Sequence, residues 1–339
     1  MTLSLILPPL ALTMGDPGGV GGEITVKAWR VLRECGPVFF LIDDPTRLRV
    51  LGVDVEEISD PSQAHAIFKT ALPIMALKAP IKSAPGVSDT ANAKAVIESI
   101  ERAVAFALDG SAAGVVTNPI QKSSLLAHGF GFPGHTEFLA NLTKDTPMPE
   151  GRQRGAVMML AGPQLKTVPV TIHQSVKDAI KSLTPDLIVK TALVVAQSLR
   201  EDFGIAAPRL AISGLNPHAG EEGMMGAEDA LIIAPAIDML REFEVDARGP
   251  LPADTMFHEE ARENYDAAIC MLHDQALIPA KTLSFHDAVN VTLGLPIIRT
   301  SPDHGTALDI AGKGVARSDS LIAALKLAGV MAMGRRAIK

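Results

Sequence analysis

Residues 267–314 read AAICMLHDQALIPAKTLSFHDAVNVTLGLPIIRTSPDHGTALDIAGKG. Apolar runs at 267–272, 289–293 and 295–298 alternate with short segments crowded with His273, Asp274, Lys281, Asn290, Arg299, Asp303 and His304. Short β-rich runs with polar clusters at their downstream ends predict parallel strands whose carboxyl ends face a ligand. This reading sets the fold class as α/β, and the rest of the chain agrees with it.

Two upstream segments repeat the theme. Residues 166–172 form a predicted strand followed by His173, and residues 209–213 form another followed by Gly214-Leu215-Asn216-Pro217-His218. Helical patterns at 185–199 and 227–240 lie between the strands. Three histidines, each just past a strand end, fall on one rim of a parallel sheet. Imidazole is the commonest ligand for zinc-like ions, so His173, His218 and His273 are candidate ligands of one mononuclear site. Their wide spacing excludes a zinc finger, and three protein ligands with open positions suit a catalytic ion.

Other elements read in order. A strand at 10–14 leads into GDPGGVGGE and a helix at 24–32; the glycine-rich join suits either a tight turn or an anion loop. A strand at 38–42 ends in the turn Asp43-Asp44-Pro45. A helix is expected at 91–108, with Ile97, Ile100, Val104 and Leu108 on its buried face, and a strand at 112–116 ends in Thr117-Asn118-Pro119. Lys122, just beyond, would suit an anion but reads as a solvated helix-start lysine. Gly129–Gly134 satisfies G-x-G-x-x-G on paper, yet no strand precedes it and Pro133 disrupts the turn, so it is not a dinucleotide fingerprint. Gly134-His135-Thr136-Glu137 reads as a helix start, with Thr136 as a plain cap or with His135 and Thr136 beside a bound anion. Asp254 ends a proline-containing loop as a base or a cap, and residues 318–333 read as a final amphipathic helix.

Composition narrows the class. The net charge is −7 and aromatics are 4%, which argues against a nucleic-acid surface. The apolar N-terminus lacks a positive leader region and is broken by Pro8-Pro9, and no apolar run reaches the roughly 18 residues of a membrane span. A cytoplasmic protein with two buried free thiols, Cys35 and Cys270, is expected.

Several motifs occur in a fixed order: GDPGGVGGEI, GHTEFLA at 134–140, GLNPHAGE at 214–221, GPLPADT at 249–255, HDQALIPAK at 273–281 and VNVTLGLPIIRTSPDHGTALDIAGKG at 289–314. In combination they resemble the 4-hydroxythreonine-4-phosphate dehydrogenase family of pyridoxal 5′-phosphate biosynthesis. The resemblance implies two α/β/α domains around a cleft, as in isocitrate and isopropylmalate dehydrogenases, without a Rossmann fingerprint. The expected division is 1–130 together with 295–339, and 131–294 carrying most of the metal and substrate ligands. It also implies a homodimer with a shared active site.

By the same resemblance, His173, His218 and His273 hold a divalent ion (Zn, Mg or Co), and His135, Thr136, Lys281, Asn290 and Arg299 bind substrate. Asp254 and Lys281 are the catalytic candidates, and the residues that bind NAD or NADP are not assigned. The implied reaction oxidises the C3 hydroxyl of 4-phosphooxy-L-threonine and releases CO2, giving 3-amino-2-oxopropyl phosphate. Alternatives are a dehydrogenase of erythronate or threonate 4-phosphate and, more remotely, a metal-dependent hydrolase or a non-catalytic phosphometabolite-binding protein. The chain departs from the usual family pattern at two places: Gln174-Ser175 follows His173, and Ala276 follows the HDQ triplet.

Overall fold

A computed structural model describes residues 7–82 and 84–337. The apolar lead-in at residues 1–6 lies outside the described residues. The chain divides into two compact units, one comprising residues up to Pro147 together with Leu295–Ala337, the other Met148–Gly294.

The first unit contains strands β1 (Leu10–Thr13), β2 (Phe39–Asp43), β3 (Val55–Glu57), β4 (Leu72–Ala76) and β5 (Val115–Val116), joined after the chain returns by β12 (Arg299–Pro302). Their order is β3-β4-β2-β1-β5-β12, and every pairing is parallel. The chain moves outward from β1 to one side and then restarts at β5 on the other. Such a reversal leaves a crevice at the carboxyl ends of β1 and β5. Gly15, directly after β1, has φ +71°, and a Cβ there would lie 2.7 Å from the Pro119 carbonyl. Only glycine lets the two strand ends come this close.

Helix Ala93–Leu108 packs over this sheet. Its buried stripe is Val96, Ile100, Ala103 and Val104, whereas Ile97 is half-buried and Leu108 exposed. The expected face is therefore rotated by part of a turn, because small Ala95, Ser99 and Ala103 let the helix sit close to the strands. Ser99 confirms the packing: its hydroxyl donates to the Ile42 carbonyl and accepts from the Met14 N–H. The final helix, Asp319–Ala337, packs on β12, where the Thr300 hydroxyl donates to the Ala324 carbonyl at 2.9 Å.

Residues 131–147 belong to this unit and not to the second, as the sequence had suggested. Phe130, Phe138 and Leu139 are buried in its core, with the rings of Phe130 and Phe138 meeting edge to face at 4.8 Å. Each such side chain gains about 1.5–3 kcal/mol from burial, which outweighs any tendency of a short helix to follow its downstream neighbours. Residues 295–298 are also not a strand. Gly294, at φ +73°, and Pro296 turn the chain there, and the strand starts at Arg299 itself.

The second unit is a mixed sheet of β6 (Val157–Ala161), β7 (Lys166–Pro169), β8 (Arg209–Ser213), β9 (Asp246–Leu251), β10 (Ala267–Cys270) and β11 (Val289–Leu293). The order is β11-β6-β7-β10-β8-β9. Strand β6 runs antiparallel to both neighbours, while β7, β10, β8 and β9 are parallel. The carboxyl ends of β7, β10 and β8 therefore lie side by side. Helix Pro185–Glu201 is capped by Thr184, whose hydroxyl accepts from the Leu187 N–H, and it carries Asp186 in its first turn and Arg200 in its last. Both cysteines are free thiols; Cys270 is buried in β10, but Cys35 is exposed, because the helix before it ends at Leu32 and leaves it in a surface turn.

Candidate active site

In the second unit, His173 follows β7, His273 opens the helix His273–Ser284 after β10, and His218 lies in the loop after β8. The rings of His173 and His273 have centroids 6.2 Å apart and share the wall of a cavity of about 420 Å³ with Thr171, Ser175 and Gln275. An imidazole nitrogen holds zinc at about 2.1 Å, so two rings on one ion have centroids roughly 5–6.5 Å apart. This pair fits an ion. The Nδ1 of His273 meets the Asp274 carboxylate at 2.7 Å, which leaves Nε2 for a ligand bond and fixes the ring's orientation.

His218 does not join them as the side chains stand. Its Nδ1 faces Glu221 at 3.3 Å, and among the described residues no group of three or more His, Cys, Asp or Glu side chains is disposed to hold a metal. The cause is the backbone: residues 218–222 all have positive φ, from 41° to 84°. Four of these five carry a side chain that disfavours that region, so the loop stores strain of the kind found at ligand sites. Buried Asp229 holds the loop's stem by accepting from the N–H groups of Leu215 and Asn216 and from the Asn216 amide. Gln275 ties the stem to the His273 helix by donating to the Gly214 carbonyl. Sequence reasoning missed both supports, since an Asp eleven residues past a histidine has no motif.

Lys281 lies about two turns along the same side of the helix from His273 and shares a second cavity with it, about 500 Å³, lined also by Asp274 and Phe285. Asn290 lies in β11, opposite Leu160. Asp254 is exposed and lines a third cavity of about 530 Å³ with Phe257, Asp274, Gln275 and Ile278, to which no imidazole contributes. It caps no helix of the described chain, because the next one, Glu259–Arg262, is capped by His258.

The first unit gathers the remaining candidates. Arg299 is buried at the start of β12 and donates from Nη2 to the Thr117 hydroxyl at 2.8 Å. Burial pushes its guanidinium down to about 10, against the opposing pull of Glu137, so it stays charged at neutral pH. His135 is the first residue of helix His135–Leu142, whose N-cap is Gly134, so no side chain caps it and Thr136 sits within the first turn. The His135 Nε2 is buried without a hydrogen-bond partner. Desolvation, followed by the charges of Arg299 and Lys122, holds this imidazole well below its ordinary pKa.

That depression has a stability consequence. Below pH about 6.5 the unfolded chain takes up a proton that folded His135 refuses, so stability falls as pH falls. We expect the urea midpoint to drop between pH 7.5 and 5.5, with a smaller drop in His135→Asn. Equal drops in both proteins would show that another group controls the acid limb.

Facing imidazoles beyond the carboxyl ends of β7 and β10 in one unit, and a buried arginine in the other, are the kinds of group found in enzymes of small anionic molecules. Residues 37–328 match the family model described as pyridoxal phosphate biosynthetic protein PdxA. The chain is 52% identical to the 4-hydroxythreonine-4-phosphate dehydrogenase of Bradyrhizobium diazoefficiens, covering 96% of this chain and 98% of that one. It is also 52% identical to the enzyme of that name from Caulobacter vibrioides, with the same coverage. The crystal structure of 4-hydroxythreonine-4-phosphate dehydrogenase from Klebsiella pneumoniae superposes with a TM-score of 0.85 at 36% identity, covering 97% of this chain and 99% of that one. The chain belongs to the PdxA family of pyridoxal phosphate biosynthetic proteins.

No helix among the described residues is long and apolar enough to cross a membrane.

Proposed function

We propose that this protein is a 4-hydroxythreonine-4-phosphate dehydrogenase, oxidising 4-phosphooxy-L-threonine with NAD+ or NADP+ and releasing CO2. The observation that carries the reading is end-to-end kinship with proteins of that name. The chemistry of the side chains supports it: a buried arginine and an uncapped helix start suit an anionic substrate, and facing imidazoles suit a divalent ion. We read the two units as domains of the isocitrate and isopropylmalate dehydrogenase type.

The ion would be held by His173 and His273, with His218 completing the set from the adjacent strand's loop. Such an ion would supply a Lewis acid to lower the pKa of a hydroxyl and offset developing negative charge, and a nicotinamide would supply the hydride acceptor. The chain's own groups do the rest. Arg299, His135 and Thr136 bind and orient the substrate's anionic end, and neutral His135 can donate one N–H to it. In the second unit, Lys281 and Asn290 are the substrate grips, and Lys281 or Asp254 takes up the hydroxyl proton. Lys281 is the better placed of the two, since it shares a cavity with His273 and Asp254 does not.

The test is side-by-side kinetics with 4-phosphooxy-L-threonine, erythronate 4-phosphate and threonate 4-phosphate, following NAD(P)H. We expect the first to have the highest kcat/KM. A preference for either sugar-acid phosphate would reassign the substrate, and no reduced nucleotide with any of them would point to a hydrolase or a binding protein.

A homodimer is part of this reading. Ile278 and Phe285 are 63% and 73% exposed on and beside the His273–Ser284 helix, and they line the cavities flanking it. Large apolar side chains grouped in this way mark an interface. We expect Ile278→Asp to shift the protein from dimer to monomer in light scattering and to lower activity in parallel. A wild-type monomer at micromolar concentration would contradict the assignment.

A further inference from the structure

Lys122 and Glu137 have no role in the chemistry assigned above. Lys122 is the first residue of helix Lys122–Ala127 and Glu137 lies in the first turn of His135–Leu142. A Cβ placed on Gly134 would stand 3.5 Å from the Lys122 ammonium nitrogen and 3.4 Å from the Glu137 Oε2. Opposite charges therefore flank the glycine at which the uncapped helix begins. The charge of Lys122 is felt at His135 beside that of Arg299, and the charge of Glu137 is felt at Arg299.

This arrangement breaks a local rule. A lysine at a helix start is opposed by the free N–H groups, which carry partial positive charge, and here a second helix start and a buried arginine add to the same field. A lysine and a buried arginine gathered about one helix start mark an anion site, and the unpartnered, buried Nε2 of His135 is an independent sign of the same thing.

We propose that Lys122 is a further substrate-binding residue that, with Arg299, His135 and the helix N-terminus, takes a phosphate monoester dianion, and that Glu137 is the counter-charge the phosphate displaces. The proposal rests on the reading of His135 and Arg299 as substrate grips and assigns them to the phosphate end. A phosphate monoester carries about −1.5 to −2 near neutral pH, a charge suited to a lysine and an arginine acting together, whereas a carboxylate carries a single charge. The ammonium supplies a mobile point charge, and the guanidinium supplies a fixed fork.

The experiment is calorimetric titration of inorganic phosphate, and separately of acetate, into the intact protein at low ionic strength. Wild type, Lys122→Met, Glu137→Gln and Arg299→Lys are compared. Lys122 is exposed and Glu137 partly so, so both variants are expected to fold. Removing one charge-assisted hydrogen bond from a binding site weakens affinity by about 10- to 100-fold. We expect Lys122→Met to weaken phosphate by about that factor with little change for acetate, and Glu137→Gln to tighten phosphate several-fold. Phosphate affinity in Lys122→Met within twofold of wild type, with Arg299→Lys impaired, overturns the role of Lys122 and leaves the site reading intact. Unchanged or weaker binding in Glu137→Gln overturns the counter-charge. Wild-type phosphate affinity in Arg299→Lys as well as in Lys122→Met overturns the site reading together with the proposal.

Discussion

Arg299→Met is expected to lower kcat/KM by about 10²–10³-fold, chiefly through KM, without lowering the melting temperature of the unliganded protein. The two halves of this result have one cause. Arg299 is 3% exposed, and burial pushes its pKa down, so the folded chain holds this charge at a cost. Its Nη2 bond to Thr117 and the charge of Glu137 offset part of that cost. Truncating one charged partner of a buried pair typically weakens binding by about 2–5 kcal/mol, which gives the expected factor. Methionine fills similar volume without charge, so the empty protein should be as stable or slightly more stable. A purely structural arginine would behave in the opposite way, with a fall in melting temperature and an unchanged KM. Steady-state kinetics together with thermal denaturation separates the two outcomes.

His273→Ala is expected to remove metal-dependent turnover, by about 10³-fold or more, while leaving the fold intact. The ring stands at the start of its helix, where Gln275 already caps by accepting from the Leu272 N–H, so the helix does not depend on the imidazole. What disappears is one face of the pair with His173 and the oriented Nε2. Equilibrium dialysis with zinc gives a readout besides activity: wild type should bind about one ion per chain, and the variant should bind far more weakly. Asp274→Asn should lie between them, about 10–100-fold weaker for metal, because the carboxylate orients the ring without touching the ion. Undiminished zinc binding in His273→Ala would remove the pair from the account.

The β-rich runs and their polar ends mark the chain as α/β, and apolar pattern places His173 and His273 beyond strand ends; that those strands, β7 and β10, are neighbours is seen only in the fold. Strand Arg209–Ser213 and strand Val289–Leu293 also have the expected bounds. Three things were not legible. The helix carrying His135 and Thr136 belongs to the first unit, because Phe138 and Leu139 find their partners there, and no local signal states which core an apolar pair will join. The left-handed course of residues 218–222 was hidden as well: His218, Ala219, Glu221 and Glu222 are poor predictors of positive φ, and tertiary ties to Asp229 and Gln275 override their preference. Lys122 looked like an ordinary surface lysine, and its meaning depends on Gly134 and Glu137, which lie more than ten residues away and reach it only in the fold.

The most direct test of the central claim is a stoichiometric assay with 4-phosphooxy-L-threonine, metal-stripped protein and defined metal add-back, following reduced nucleotide and CO2 together. The account predicts no turnover after chelation, recovery with a divalent ion, and one NAD(P)H per CO2 released. Full turnover in the stripped protein, or nucleotide reduction without CO2, would contradict it.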